Sequence, residues 1–267
     1  MIEIGEASEL ATWCGGDTLC LWVGQGLGGR GRAWRSADGR AVAVAGPGVA
    51  ARDRLAVRGP AGVAVSLASE VLDLLGPGFR PLGDPALIGA LVAADPRLEM
   101  VGRFGWMSCQ RPEAALPPGP GRAAWLPGAA LAEAAALIQE AFPDSLARPG
   151  IPGAERWAGV RDDAGGLVAT GTLAWPAPAV GLLAGIAVRP RARGRGLGRD
   201  ICAFLLSEAL CRHEAAALMV DDWNHAALRL YRSLGLRYRA VAAAARPGGA
   251  ASTSRTPVPG PGPGYGR

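Results

Sequence analysis

The stretch GIAVRPRARGRGLG, residues 185–198, is built like the end of a strand, a turn and the start of a helix. Ile186, Ala187 and Val188 are apolar and partly β-branched, as a buried strand end should be. Pro190 lacks the N–H that a central ladder position needs, so the strand stops there. The turn then carries arginines at 189, 191, 193, 195 and 199 and glycines at 194, 196 and 198. Beyond it, Ile201, Cys202, Leu205, Leu206, Ala209 and Leu210 recur at helical spacing and predict one apolar face. A glycine-rich turn that opens a helix is an anion site. The first helical amides lack partners in the chain, the helix dipole adds partial positive charge, and missing Cβ atoms let a phosphate approach the backbone. The arginines add charge-assisted hydrogen bonds. A pyrophosphate fits this pattern.

Two common phosphate motifs are excluded. The nucleotide-triphosphate loop needs a lysine, and all 28 basic residues of the chain are arginine. The dinucleotide fingerprint needs G-x-G-x-x-G, and Gly194, Gly196 and Gly198 are wrongly spaced for it. The fingerprint does occur at Gly26, Gly28 and Gly31, but no helix follows there. Arg32–Arg35, the turn Ser36-Ala37-Asp38-Gly39 and Arg40–Val44 read instead as a hairpin. What the turn does fit is [QR]-x-x-G-x-[GA], as Arg193-Gly194-Arg195-Gly196-Leu197-Gly198. This resembles the acetyl-coenzyme A loop of the GNAT (GCN5-related) N-acetyltransferases. A second segment, Asn224-His225-Ala226-Ala227-Leu228-Arg229-Leu230-Tyr231 followed by Leu234-Gly235-Leu236, is similar to the family's N-x-x-A-x-x-x-Y-x-x-x-G-F motif, with Leu236 in place of phenylalanine. The two stand in the family's order, with room for one helix and one strand between them.

The rest of the chain is read against that resemblance. With 267 residues, 49% hydrophobic and 19% charged, the composition is globular and large enough for one large core or two ordinary ones. A net charge of +5 is modest for this length and does not call for nucleic acid. The arginine-rich turn also lacks the interleaved aromatics of a base-stacking surface. The longest largely apolar stretch, 167–188, is broken by Gly171, Pro176 and Pro178 and does not read as a bilayer span. The acidic start (Glu3, Glu6, Glu9) shows no secretory signal, and Cys14, Cys20, Cys109, Cys202 and Cys211 form no C-x-x-C pair. A cytoplasmic protein with reduced thiols, no metal site and no membrane partner is expected.

Residues 1 to about 60 read as β-rich and irregular, with Thr18–Val23 as a strand. Helices are predicted over Val65–Leu75 and from Asp84-Pro85 onward, and a strand over Leu98–Cys109. Residues 111–121 read as a linker, so a first domain is placed at 1–110. The second domain, 122–245, reads as a short strand Arg122–Leu126, a helix Ala129–Phe142, and strands Trp157–Arg161, Leu167–Trp175 and Val180–Val188. The glycine-rich turn and its helix come next. Strand Ala215–Val220, helix Asn224–Leu234 and strand Arg237–Ala245 complete it. Residues 246–267 have almost nothing to bury and are expected to be disordered.

The resemblance implies an α/β (α+β) GNAT fold, a mixed central sheet flanked by helices. It also implies two GNAT-like halves, of which the first has lost its cofactor loop and helps to shape the acceptor cleft. In the family the strand before the loop splays from its neighbour and the cofactor lies in the gap. Carried over, the backbone of Ile186, Ala187 and Val188 would bond the pantetheine arm. Arg193, Gly194, Arg195, Gly196, Leu197, Gly198 and Arg199 would hold the pyrophosphate, and Asn224 and Tyr231 would face the thioester end. Tyr231 matches the position of the family's acid. The base is not marked by a carboxylate on Val180–Val188, which leaves Asp221 and Asp222 as the nearest candidates. From the residues alone, Asn224 also reads as a helix N-cap, Tyr231 as a core tyrosine, and Asp221 and Asp222 as turn residues. The implied function is acetyl-coenzyme A-dependent transfer to an amine, carried by a small molecule or a peptide. The alternative is an inactive coenzyme-binding sensor or interaction module.

Overall fold

The structure is a computed structural model that describes residues 1–111 and 121–247. The expected linker and tail fall mostly outside the described residues. The first half runs β1 (Ile2–Ile4), α1 (Ala7–Trp13), α2 (Thr18–Val23), β2 (Arg32–Arg35), β3 (Val42–Val49), β4 (Arg52–Arg58), α3 (Ala61–Leu75), β5 (Arg80–Gly83), α4 (Pro85–Ala94) and β6 (Glu99–Gln110). The second runs β7 (Ala124–Trp125), α5 (Leu131–Ala141), β8 (Trp157–Arg161), β9 (Leu167–Leu173), β10 (Val180–Val188), α6 (Leu197–Arg212), β11 (Ala215–Val220), α7 (His225–Ser233) and β12 (Arg237–Ala245). The second half repeats the order of the first, with one early helix in place of two.

Two sequence expectations are corrected here. Thr18–Val23 is a helix, not a strand. The Asp17 carboxylate caps it by accepting the Leu19 and Cys20 amides, each at 3.0 Å. Thr18, Leu19, Cys20, Trp22 and Val23 are all buried, so the segment has no polar face to betray a helical period. Nor are residues 1–60 without helix, because α1 precedes it, with Leu10 as its only buried residue. By contrast, the discounted fingerprint at Gly26–Gly31 does lead into the hairpin β2–β3.

All twelve strands join in one sheet of order β1-β2-β3-β4-β5-β12-β6-β11-β10-β9-β8-β7. Each half contributes one parallel pair, β4 with β5 and β10 with β11. The last strands are exchanged. β6 leaves its own half to pair antiparallel with β11, and β12 crosses to pair with β5. The two exchanged strands then pair with each other along almost their whole length, from Arg237↔Ser108 to Ala245↔Glu99. No edge is left open between the halves.

Helices cover both faces. α3 and α4 pack through Leu67, Val71 and Leu91 on Leu55 and Val57. α6 packs through Ile201, Leu205 and Ala209 on Val160, Leu183 and Leu218, while α5 covers Trp157 and Ala187 from the other side. Each such fully buried aliphatic side chain is worth about 1.5–3 kcal/mol. α2 serves both halves: Trp22 belongs to one cluster with Val44, Trp106, Val180 and Leu182. Its indole N–H donates to the Trp175 carbonyl at 3.0 Å, and Trp106 donates to Thr18 Oγ1 at 2.9 Å. Asp17 adds an ionic clamp. It receives Arg58 at 2.9 Å from β4 and Arg239 from β12.

Candidate active site

The site forms where β10 parts from β11. The two strands pair in parallel from Val180↔Ala215 to Leu183↔Leu218 and no further, although β10 runs on to Val188 and β11 to Val220. The cause lies in Gly185. It has φ +59°, and a Cβ there would stand 2.6 Å from the Trp157 ring, so only glycine permits this bulge. The pairing of β10 with β9 skips register between Ala184 and Ala187 at the same place. Residues 184–188 therefore keep their β9 partner and face a gap on the β11 side.

The arginine-glycine turn crosses the end of that gap. Gly194 and Gly196 both have positive φ, +78° and +80°, and neither would bring a Cβ against protein atoms closer than 3.9 Å. Gly196 is the N-cap of α6, so the amides that follow it are unclaimed by any earlier carbonyl and lie open to an anion. Arg191, Arg193 and Arg195 are exposed around it. Arg189 is held instead by the Leu167 carbonyl at 2.8 Å and by Glu140. Arg199 donates to Ser233 Oγ at 2.8 Å, which ties the first turn of α6 to α7.

Arg122 is a part of the site that the sequence did not mark. Its Nη2 donates to the Arg195 carbonyl at 3.0 Å and its Nε to Asp200 Oδ2 at 2.8 Å. It thus braces the turn and neutralises the one acid in the first turn of α6. Because the partners lie in a distant stretch of chain, no local pattern could reveal it.

The second motif lies beside the first. A Cβ at Gly198 would be 3.7 Å from both Leu230 Cδ2 and Val188 Cγ2, so β10, α6 and α7 meet at that glycine. Asn224 caps α7, its Oδ1 accepting the Ala227 amide at 3.1 Å, which still leaves its side-chain N–H groups. Tyr231 is buried in the cluster with Cys202 and Leu228. Its hydroxyl has no hydrogen-bond partner among the described residues. Burial, with Cys202 beside it, pushes its pKa far up, so the phenol keeps its proton. Burial likewise pushes the Cys202 thiol up to about 12. The turn between β11 and α7 carries the two acids. The Asp221 carbonyl accepts the Asn224 amide, and Asp222 Oδ1 receives the Tyr238 hydroxyl at 2.7 Å. Between Asp222 and Asn224, the Trp223 ring is 74% exposed.

The family model for the acetyltransferase (GNAT) family matches residues 131–236, which contain the gap, the turn and both motifs. Through its C-terminal half, the chain is similar to the GNAT family. Solved structures agree in fold. A GCN5-related N-acetyltransferase from Kribbella flavida is 18% identical with a TM-score of 0.52, covering 79% of this chain and 88% of its own. A Drosophila protein is 13% identical with a TM-score of 0.55 and covers 93% and 98%. A GCN5-related N-acetyltransferase-like protein from Streptococcus suis is 12% identical with a TM-score of 0.51 and covers 90% and 97%. The last two therefore span both halves. The match supports an acyltransferase-type function. Among the described residues, no His, Cys, Asp and Glu group could hold a metal ion, and no helix is long and apolar enough to cross a membrane.

Proposed function

We propose that the protein is an acetyl-coenzyme A-dependent N-acyltransferase whose chemistry is confined to residues 122–245. The observation that carries this reading is the gap between β10 and β11, capped by the Arg193–Arg199 turn at the start of α6. The gap leaves the β11 side of residues 184–188 without a strand partner. An extended amide-bearing arm, such as pantetheine, would complete it by bonding the backbone of Ile186, Ala187 and Val188. The turn would receive a pyrophosphate on the amides from Arg193 to Arg199, with no Cβ at Gly194, Gly196 or Gly198 in the way.

Acetyl-coenzyme A would supply a thioester, the acyl donor for an amine. The chain's own groups supply orientation and a proton. Tyr231 holds a proton on a hydroxyl with no partner among the described residues, and it would be the donor at the thioester end. Asn224 offers side-chain N–H groups from the cap of the same helix. Asp221 and Asp222 stand at the strand end where an amine would enter, with Asp222 held in place by Tyr238. The N-terminal half, residues 1–110, would wall the acceptor cleft on the far side.

The test is release of free coenzyme thiol from acetyl-coenzyme A in the presence of a panel of amines: amino acids, polyamines, aminoglycosides and peptides. Acceptor-dependent release by at least one class is expected. Coenzyme binding without release by any class would favour the sensor alternative.

A further inference from the structure

The first half contains a cation that nothing so far explains. Asp17, Arg54 and Asp95 are the buried charged residues among those described. Asp17 is met by Arg58 and Arg239, and Asp95 by Arg97 and Arg246. Arg54 is 7% exposed and meets no carboxylate among the described residues. Its Nε donates to the Val49 carbonyl at 2.8 Å, and its guanidinium carbon lies 5.2 Å from the centre of the Trp22 ring. Its two terminal nitrogens have no hydrogen-bond partner among the described residues. Asp53 does not help, because strand alternation turns it to the other face, where it accepts the Gly48 amide at 2.8 Å.

A second arginine stands directly beside it. Arg54 on β4 is the register partner of Arg80 on β5, so both side chains leave the same face of adjacent parallel strands. Arg80 is half-buried and also makes no hydrogen bond or ion pair among the described residues. Arg52, two residues along β4, adds its charge from the same side. Burial and these two like charges push the Arg54 pKa down to about 9. The fold itself does not require charge here. In the second half, the first pair of the parallel ladder is Val180↔Ala215, a buried apolar pair, where in the first half it is Arg54↔Arg80. A buried charge without a counter-ion is among the most costly features a protein can hold, and side-by-side guanidinium forks match an oxyanion.

We propose that Arg54 and Arg80 form a second anion site, which binds a phosphate or carboxylate group at the N-terminal ends of β4 and β5. It lies in the first half, several strands along the sheet from β10 and its coenzyme turn, and does not depend on the function proposed for that turn. The geometry fixes one wall of the site: the Trp22 face and the Val49 carbonyl hold the Arg54 fork in place and leave its terminal nitrogens for the ligand.

The test uses the full chain carrying Gly196→Glu, which removes the coenzyme turn as a competing phosphate site. Thermal melting is followed against inorganic phosphate and against succinate, with chloride keeping ionic strength constant. At least one anion should raise the melting temperature saturably, and which one does so identifies a phosphate or a carboxylate ligand. Adding Arg80→Gln, a change at a side chain without hydrogen bonds or ion pairs among the described residues, should weaken the effect at least tenfold. Adding Arg54→Met should abolish it while leaving the anion-free protein as stable or more so. No saturable rise with either anion, or a rise that Arg80→Gln leaves intact, would overturn the proposal. An equal loss of stability in Arg54→Met with and without anion would mark Arg54 as structural only.

Discussion

The two halves of the molecule make the same turn in opposite ways. In the first, β4 passes to α3 through Gly59 and Pro60 alone, and β4 stays paired with β5 up to Val57↔Gly83 at the end of the shorter strand. In the second, residues 189–196 separate β10 from α6, and the pairing with β11 stops five residues before β10 ends. The closed version is sealed by backbone contact, since a Cβ at Gly83 would lie 2.5 Å from the Val57 carbonyl oxygen. The open version is held apart by the Gly185 bulge packed on Trp157. One architecture thus yields a closed sheet or a coenzyme gap according to the bulge and the length of one turn. The closed half gives its surplus to assembly, through the exchange of β6 and β12 and the α2 core.

That contrast is broken most sharply at the open turn. Gly196→Glu places a carboxylate where the pyrophosphate would sit and strains a residue at φ +80°. Coenzyme affinity should fall by about 100-fold or more, some 2.7 kcal/mol, in a calorimetric titration. Tyr231→Phe removes only the proton. It should lower kcat by roughly 100-fold with coenzyme affinity unchanged, a split that separates the acid from a packing tyrosine.

Two smaller effects sharpen the other side. Gly83→Ala in the closed half forces β4 and β5 apart and should cost about 1–3 kcal/mol in denaturant melts, with no change in coenzyme affinity. Asp17 tests the clamp between halves. Burial alone would raise its pKa, but the Arg239 hydrogen bond and charge, the Cys20 amide and Arg58 together hold it below the ordinary 3.8. A carboxylate depressed on folding stabilises above its unfolded pKa, and that share is lost as pH falls through the folded value. Asp17→Asn should therefore be less stable than the parent at pH 7. The difference should shrink below about pH 4, where the parent loses the same charge.

The second half was legible almost to the residue. Trp157–Arg161, Val180–Val188 and Ala215–Val220 are apolar runs bounded by Asp, Gly and Pro signals, and each is a strand with those bounds. The first half was less so, for physical reasons. α2 is buried on nearly every side and has no period to read. The exchange of β6 and β12 leaves no trace in either strand, because a strand's own residues do not say which neighbour its backbone will pair with. At the site, the turn and α7 announced themselves through glycine spacing and the Asn224 to Tyr231 register. Arg122 did not, since its bonds to Arg195 and Asp200 exist only after folding. Arg54 sits in an alternating R-D-R-L-A-V-R run that looks like any solvent-facing strand edge.

The most direct measurement is calorimetric titration of acetyl-coenzyme A, and of desulfo-coenzyme A beside it, into the full-length protein. Binding of both on the order of micromolar is expected, because the turn and the gap hold the pyrophosphate and pantetheine, not the sulfur. Absence of binding to either would contradict the account, and would make the gap between β10 and β11 a feature of the fold without a ligand.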